Sequence, residues 1–344
     1  MATAEQVGSM SLGKSVERKD NESKDAEEAN GTTPTKLCSA CEKKSDALMK
    51  CRACKCVWYC DKKCQNKHWK EHKTECKRIK KELEKRGGKL DIGMELDIGP
   101  LPDLPPRDEC PICMRALPLH DKLQAYAACC GKTICCGCDH QHEIKTEGQV
   151  TSCAFCREPM PRSDEEILAQ LRKRVERKDP RALCNMGMEY SDGGLGLPVD
   201  QAKSIELLRQ SADLGFPPAQ YQLAACYYNG EMGLKEDQEE ANKCWEKAAK
   251  GGHLPSLHNL GSIEYENGDY VTAMRHWRLG ASGGYRGSAE HLIECFEKWL
   301  LHHADLAETL QAMYRSKAEM KSEDRAKYIK HLKATGEYKE EYDL

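Results

Sequence analysis

Cysteine is concentrated in one part of this chain, and that concentration limits the possible folds more than any other feature. Of the 21 cysteines, 17 lie between Cys38 and Cys156. They form two blocks in which pairs of cysteines stand two residues apart, a spacing that lets one tight turn supply half of a tetrahedral zinc site. Two such pairs brought together by the fold complete the four ligands. The sequence therefore predicts two small domains, each folded around metal.

A disulfide framework is the other common use of so many cysteines, and the sequence argues against it. The chain starts Met-Ala-Thr-Ala-Glu-Gln, without the basic and apolar residues that direct a protein into an oxidising compartment. It contains no apolar run of the roughly 18 residues that a membrane span requires. We therefore expect reduced, zinc-binding cysteines in a cytoplasmic or nuclear protein, with no membrane partner.

Length and composition favour several small units. The 344 residues allow two or three domains, and aromatic residues make up only 6% of them, which argues against one large aromatic core. Units of about 40 residues bury too little apolar surface to fold alone, so metal would contribute to their stability. The predicted segments are a disordered N-terminus (1–36), a first zinc domain (37–76), a basic helix with a proline-rich linker (77–108), a second zinc domain (109–161), a connecting helix (162–178), helical repeats (179–287) and C-terminal capping helices (288–344).

The first cysteine block contains eight residues with zinc-ligand spacing, enough for two ions. Its last four ligands are Cys60-x3-Cys64 and His72-x3-Cys76, each pair spaced like one helical turn. This order, with Trp69 three residues before His72, resembles the MYND zinc finger. The resemblance implies interleaved sites, with one zinc held by Cys38, Cys41, Cys60 and Cys64 and the other by Cys51, Cys54, His72 and Cys76. Cys56 and His68 fall outside the pattern. Either could compete for metal, but we expect both at the surface.

The resemblance also implies partners for this block. MYND fingers bind proline-rich peptides, and we assign Trp69 to partner binding. The block is basic, with 17 Lys or Arg against 7 Asp or Glu over residues 37–89, a pattern that also suits nucleic acid. Ligating thiolates lower that charge and no aromatic stripe accompanies the lysines, so we expect protein partners and not specific nucleic-acid binding. MYND fingers occur in lysine methyltransferases as well, but this sequence shows no catalytic segment of that kind.

The linker carries a candidate ligand for the finger. Residues 102–106 read Pro-Asp-Leu-Pro-Pro, which fits the Pro-x-Leu-x-Pro form that MYND fingers favour. A tethered peptide would reach the finger at about millimolar effective concentration. Two interpretations stay open, namely docking of the linker in the groove of its own finger, and a spacer with a chance match.

The second cysteine block begins with Cys110-x2-Cys113 and ends with Cys153-x2-Cys156, followed by Arg-Glu-Pro. These two ends resemble RING fingers. The resemblance implies one zinc at Cys110, Cys113, Cys135 and Cys138, and another at Cys129, Cys130, Cys153 and Cys156. The centre departs from the family, because the usual Cys-x-His is missing and Cys129 and Cys130 are adjacent. Three residues stay open as replacement ligands: His140, His142 and Cys136.

A RING finger has no catalytic nucleophile. It binds a ubiquitin-conjugating enzyme and favours the reactive conformation of the bound ubiquitin. The resemblance implies that Ile112 and Pro159 contact the enzyme, and that Arg157 bridges enzyme and ubiquitin with its planar fork of donors. No tryptophan lies between Cys138 and Cys153, where active members often carry an aromatic contact. Ubiquitin ligase activity and a purely structural zinc module therefore both stay open.

From about Asp179 the sequence is repetitive. Ala182, Ala219 and Ser256 stand 37 residues apart in similar surroundings. A second element recurs in step with them, as Ala212 with Gly215, Ala249 with Gly252, and Ala281 with Gly284. A period in this range predicts stacked helical hairpins. The motifs resemble Sel-like repeats, relatives of the tetratricopeptide repeat, which implies a surface for protein partners.

The expected fold is modular: two small zinc-stabilised domains followed by an all-α solenoid of helical hairpin repeats. The predicted function is that of a protein-interaction adaptor with about four zinc ions, in which the RING-like module is a candidate ubiquitin ligase. The alternatives are a non-enzymatic scaffold and a transcriptional cofactor whose fingers are structural or bind peptides.

Overall fold

The computed structural model describes residues 37–43, 45, 47–89, 95–146 and 152–338. The predicted disordered N-terminus lies outside these residues. Within them, strands occur as two short hairpins, one in each cysteine block, and helices form the rest of the regular structure. None of the helices found in these segments is both long and apolar enough to cross a membrane.

The first cysteine block is a hairpin followed by a long helix. Strand β1 (Met49–Lys50) pairs antiparallel with β2 (Trp58–Tyr59), and helix α1 spans Lys62–Lys85. Asp61 caps α1, since its carboxylate accepts a hydrogen bond from the backbone N–H of Cys64 at 2.8 Å. The basic helix predicted after the finger is thus the second half of one continuous helix. It ends just before the two glycines at 87 and 88.

The second block has the same order of elements. Strand β3 (Gln124–Ala127) pairs antiparallel with β4 (Lys132–Cys135), and helix α2 follows over Cys136–Lys145. A tight turn at residues 128–131 joins the strands, and Gly131 has a φ of +71°, a left-handed conformation that favours glycine. The turn contains two of the predicted ligands.

Eight helices form the connecting segment, the repeats and the segment that follows the repeats directly. They are α3 (Asp164–Glu176), α4 (Pro180–Asp192), α5 (Gln201–Asp213), α6 (Pro217–Asn229), α7 (Gln238–Lys250), α8 (Leu254–Glu266), α9 (Tyr270–Ser282) and α10 (Arg286–Glu297). Ser163 caps α3, since its hydroxyl accepts a hydrogen bond from the backbone N–H of Glu166. Helices α4 to α9 form three consecutive hairpins, and the recurring small residues Ala182, Ala219 and Ser256 are fully buried. The α-solenoid is therefore confirmed.

Two C-terminal helices join the zinc blocks to the repeats. Helix α11 (His303–Met320) packs on α9 and α10, and one apolar core contains residues of α11, of the repeats and of the first zinc block. Helix α12 (Glu323–Thr335) packs on α2 of the second block, and the backbone of Arg325 lies where a side chain at Gly137 would be. These helices therefore tie both zinc blocks to the solenoid in addition to capping it.

The linker lies on the repeats. The guanidinium groups of Arg275 and Arg278 donate hydrogen bonds to the carbonyls of Ile98 (3.1 Å) and Gly99 (2.6 Å). Leu104 is half-buried and lies against Gly283, whose missing side chain leaves room for it. In this structure the linker packs on the repeats, which favours the spacer interpretation of the Pro-x-Leu-x-Pro match over docking in the MYND groove.

Candidate metal centres

Sixteen side chains form four clusters, each with four potential ligand atoms within 4.8 Å of one another. The clusters are Cys38, Cys41, Cys60 and Cys64; Cys51, Cys54, His72 and Cys76; Cys110, Cys113, Cys135 and Cys138; and Cys129, Cys130, Cys153 and Cys156. These are the groupings that the two resemblances imply. All 21 cysteines lie in the described part of the chain, and none is in a disulfide.

The spacing of the sulfur atoms fits zinc. Thiolates bound at about 2.3 Å around a tetrahedral ion stand about 3.8 Å apart. One sulfur pair from each cluster shows comparable distances: Cys41–Cys60 at 3.5 Å, Cys51–Cys76 at 3.7 Å, Cys113–Cys135 at 3.9 Å and Cys129–Cys156 at 3.4 Å. The chain therefore has four clusters suitable for zinc.

The first cluster is the most accessible to solvent. Cys41 is exposed, Cys60 and Cys64 are half-buried, and Cys38 is buried. Cys60 lies between β2 and α1. Cys60 and Cys64 therefore do not share a helix face, although their spacing suggested it. Burial opposes ionisation of Cys38, but hydrogen bonds from backbone amides, first that of Ala40, lower its pKa to about 7. Ionisation near neutral pH suits a metal ligand.

The second cluster is buried throughout. Nε2 of His72 lies 3.2 Å from Sγ of Cys54, so this nitrogen faces the metal position. Nδ1 of the same ring lies 3.4 Å from the hydroxyl oxygen of Tyr314 on α11. A partner on the second nitrogen selects the tautomer and holds the ring of a metal-bound histidine. Helix α11 thus contributes to a site whose four ligands come from the finger.

Two further residues of α11 support the loop of this cluster. Nε2 of His303 lies 2.8 Å from the carbonyl oxygen of Cys54 and 3.2 Å from Sγ of Cys56. The side-chain amide of Gln311 donates to the carbonyl of Cys56 at 3.0 Å. Cys56 is fully buried, and so is His68, whose Nδ1 lies 2.9 Å from the hydroxyl of Tyr59. The expectation that Cys56 and His68 lie at the surface is wrong, because helix α11 covers this side of the finger.

The third cluster lies beside a buried cation. Nη1 of Arg325, on α12, donates to the carbonyl of Ala116 at 2.7 Å, and Nη2 lies 3.7 Å from Sγ of Cys113. Four thiolates around Zn²⁺ carry a net negative charge, which a guanidinium group offsets. A hydrogen bond from the Cys135 thiol is the main cause that lowers the pKa of Cys110 to about 4. The same hydrogen bond raises the pKa of Cys135, so the thiolate of this pair is on Cys110.

The fourth cluster contains the adjacent cysteines 129 and 130. The three alternative ligands have other contacts. His142 lies 2.9 Å from the carbonyl oxygen of Ser152, the Cys136 thiol donates to the carbonyl of Lys122 at 3.4 Å, and the ring of His140 packs at 4.7 Å from that of His331. The structure groups the vicinal pair, and not these three residues, with Cys153 and Cys156.

The predicted partner contacts lie on the surface. Ile112 is 41% exposed and Trp69 is 38% exposed, and Pro159 and Arg157 are exposed as well. Nη1 of Arg157 lies 3.2 Å from Nδ1 of His142, and Arg157 has a φ of +66°. The side chain is thus held beside the last zinc knuckle.

Other apolar side chains of the second block are also exposed, although no sequence motif marks them. Phe155 lies between the last two ligands, and Ile144 is 53% exposed on α2. Ile144 falls in the segment between Cys138 and Cys153, where only a tryptophan was sought. A search of that segment for any large apolar residue would have found it.

Known families match the first cysteine block and the helical repeats. Residues 38–76 match the MYND finger, and residues 180–216, 217–253 and 254–285 each match the Sel1 repeat. The protein therefore contains a MYND finger followed by three Sel1 repeats. No match to a RING family is found for the block between them.

The curated relatives match over short segments. Histone-lysine N-methyltransferase ASHR1 from Arabidopsis thaliana is 45% identical over 58 residues, which are 17% of this chain and 12% of that protein. Histone-lysine N-methyltransferase SMYD3 from Homo sapiens is 43% identical over 44 residues, 13% of this chain and 10% of that protein. Because this chain spans only about a tenth of the length of either relative, their enzymatic activity is not transferred to it.

Among solved structures, a Sel1 repeat protein from Oxalobacter formigenes is 27% identical and covers 37% of this chain and 98% of its own, with a TM-score of 0.35. The c5321 antigen of uropathogenic Escherichia coli, which displays an SLR fold, is 23% identical and covers 49% of this chain and 36% of its own, with a TM-score of 0.37. The repeat assignment rests on the family match and on the observed helix pairs.

Proposed function

We propose that this protein is a zinc-dependent protein-interaction adaptor of the cytoplasm or nucleus, and that its second zinc module recruits a ubiquitin-conjugating enzyme. The MYND finger and the Sel1 repeats support the adaptor part, since both are protein-interaction modules. The ligase part depends on one observation. Both outer zinc knuckles of the second module present large apolar side chains to solvent, Ile112 on the first and Phe155 on the last.

Exposed apolar side chains on small knuckles favour a protein partner. Such residues lose contact with water when they bind, which contributes about 25 cal/mol per Å² of apolar surface. Apolar anchors surrounded by polar residues are typical of interface centres. Ile144 on α2 and Pro159 after the last ligand provide further apolar surface in the same module. We assign the apolar contact with the conjugating enzyme to these residues.

Arg157 supplies the polar part of the proposed interface. Its guanidinium group is exposed next to the last ligand, and the contact with His142 restricts its conformations. A guanidinium fork can donate to two acceptors at once, one on the enzyme and one on ubiquitin. In this mechanism the protein forms no covalent intermediate. It holds the loaded enzyme in the orientation in which a lysine attacks the thioester.

Ubiquitin discharge from a panel of loaded conjugating enzymes tests this function. Arg157→Ala should slow discharge about 10-fold or more while enzyme binding changes little, and Ile112→Ala should weaken binding itself. Arg177→Ala and Val199→Ala, at exposed positions outside the second zinc module, are the matched controls. Zinc content should equal that of the wild type in all four variants. Discharge by the wild type at the rate of the enzyme alone would contradict the ligase role.

The second candidate is a non-enzymatic scaffold or transcriptional cofactor. The observation that favours it is the exposed Trp69 on α1, which offers the MYND finger an aromatic contact independent of the second module. Under this function a proline-rich peptide binds the wild type, and Trp69→Ala loses that binding. The ubiquitin assay would then show no discharge with any enzyme of the panel.

A further inference from the structure

The adjacent cysteines of the fourth cluster pose a geometric problem. In an extended chain, successive side chains point to opposite faces, so neighbouring residues do not normally reach one metal ion. The turn at residues 128–131 removes this obstacle by reversing the backbone, and the N–H groups of Cys130 and Gly131 both donate to the carbonyl of Ala127, at 3.2 and 2.7 Å. Because both N–H groups bind the carbonyl of Ala127, the carbonyls of Ala128 and Cys129 do not accept from them.

Those carbonyls are bound by a side chain of the connecting helix. Nε of Arg174, on α3, donates to the carbonyl of Ala128 at 2.9 Å, and Nη2 of the same side chain donates to the carbonyl of Cys129. The guanidinium group is planar and its donors are fixed relative to one another, so one side chain determines the orientation of two successive peptide groups. The first of these peptide groups precedes Cys129, and the second joins Cys129 to Cys130.

Neighbouring groups hold Arg174 and the turn together. The backbone N–H of Asp179 donates to the carbonyl of Arg174 at 3.0 Å, and the Tyr126 hydroxyl donates to Oδ2 of Asp179 at 2.8 Å. A side chain at Gly131 would meet that Oδ2 at 2.8 Å and Nη1 of Arg174 at 3.0 Å. Ala128 packs against the apolar core of α3 and α4. Contacts with α3, α4 and Asp179 therefore hold the turn in place.

We infer that Arg174 is a positioning residue for the fourth zinc ion: its guanidinium group orients the peptides of Ala128 and Cys129 so that both Cys129 and Cys130 reach one metal. The inference rests on the proposed ligand set of that site. It means that the connecting helix completes a zinc site whose four ligands all belong to the second module. Partners of ligands outside the first coordination shell typically change metal affinity 10- to 100-fold.

A chelator competition on the full chain tests this role. Native mass spectrometry should find four zinc ions on the wild type, and Arg174→Gln should release one of them at about 10- to 100-fold lower chelator concentration. Arg172→Gln is the control, since Arg172 is exposed on the same helix. Circular dichroism should show the same helix content for both variants. Release from Arg174→Gln at the wild-type chelator concentration, or equal weakening of all four ions, would overturn the inference.

Two further variants separate positioning from charge. Arg174→Lys keeps the positive charge but offers a single ammonium group in place of the fork, so it should lose the same ion almost as readily as Arg174→Gln. A lysine variant that matches the wild type would contradict the role of the fork. If Arg174→Gln does not fold, Tyr126→Phe can be used instead, since it removes the hydrogen bond to Asp179 and preserves the ring. It should still weaken the same single ion, and unchanged release would overturn the inference.

The cysteine ligands themselves provide the remaining control. Cys130→Ser should weaken one zinc ion, and adding Arg174→Gln to it should cause little further loss, because both changes affect one site. If Cys130→Ser retains four tightly bound ions, the ligand set is wrong whatever Arg174 does. If it loses one ion and Arg174→Gln adds the loss of a second, the ligand set stands and the positioning role fails.

Discussion

The hydroxyl oxygen of Tyr314 lies 3.4 Å from Nδ1 of His72, although the two residues are 242 positions apart in the chain. His72 is a predicted zinc ligand in the finger, and Tyr314 belongs to α11 at the far end of the repeats. The contact makes the MYND finger part of a larger unit. A ring whose second nitrogen is hydrogen-bonded keeps one tautomer and one orientation, so helix α11 influences metal binding in the finger.

Tyr314→Phe should weaken one zinc ion without disturbing the core. The substitution removes only the hydroxyl, so the volume of the buried ring is preserved, and the expected loss of affinity is about 10-fold. Zinc release to a chromogenic chelator, followed over time, measures it. Tyr270→Phe, on the exposed part of α9, is the control and should behave as the wild type. Identical release from the two variants would show that the contact does not influence the metal.

Removal of zinc should affect α11 as well as the fingers. Binding of a structural zinc contributes on the order of 10 kcal/mol to folding of its site, and the first block shares one core with α11. Hydrogen exchange after chelation should therefore accelerate in residues 303–320. It should change little in residues 217–250, whose cores contain no residue of either zinc block. Equal acceleration in both segments, or in neither, would contradict this division.

Gly261 and Gly187 occupy equivalent positions in the repeats and should respond differently to alanine. A side chain at Gly261 would meet the ring of Trp277 at 2.6 Å, whereas at Gly187 the nearest atoms lie at 3.2 Å. Alanine normally favours a helix over glycine by about 1 kcal/mol. At Gly261, overpacking should reverse the sign and reduce the free energy of unfolding by about 1–3 kcal/mol. Urea unfolding of both variants measures the loss of stability relative to the wild type, which should be smaller for Gly187→Ala than for Gly261→Ala.

His253 should make the repeats less stable in mild acid. Burial lowers its pKa from 6.5 to about 4, so the unfolded chain binds more protons than the folded one between these values. The stabilising contribution is complete above pH 6.5 and is lost as the pH falls towards 4. The free energy of unfolding in urea should differ less between pH 7.5 and pH 5.5 for His253→Gln than for the wild type. Because both proteins have the same zinc ligands, loss of metal in acid cancels in the comparison.

Leu104 should not compete with a proline-rich ligand of the MYND finger. Its side chain lies against Gly283 of the repeats, and the adjoining linker is hydrogen-bonded to Arg278. Titration of a Pro-x-Leu-x-Pro peptide should therefore give equal affinities for the wild type and for Leu104→Ala. Tighter binding to the variant would show that the linker masks the finger after all.

Local chemistry made much of this protein predictable. Pairs of cysteines with x2 spacing lead to metal sites because the ligand spacing is a property of short turns, and the small residues Ala182, Ala219 and Ser256 mark the repeats because close helix packing excludes larger ones. Prediction was weaker where a residue has no such local pattern. Ile144 was overlooked because its importance depends on exposure, and Cys56 was misplaced because the helix that covers it is distant in the chain.

The sequence by itself determined the cysteine pairs and the helical repeats, since each depends on residues close together in the chain or on a regular period. Only the tertiary structure decided how these parts support one another. Tyr314 and Arg174 lie outside both cysteine blocks, and nothing in their neighbours along the chain relates them to metal. Their contacts arise because α11 and α3 bury apolar surface against the zinc blocks, and burial of that kind is decided by the packing of the whole chain.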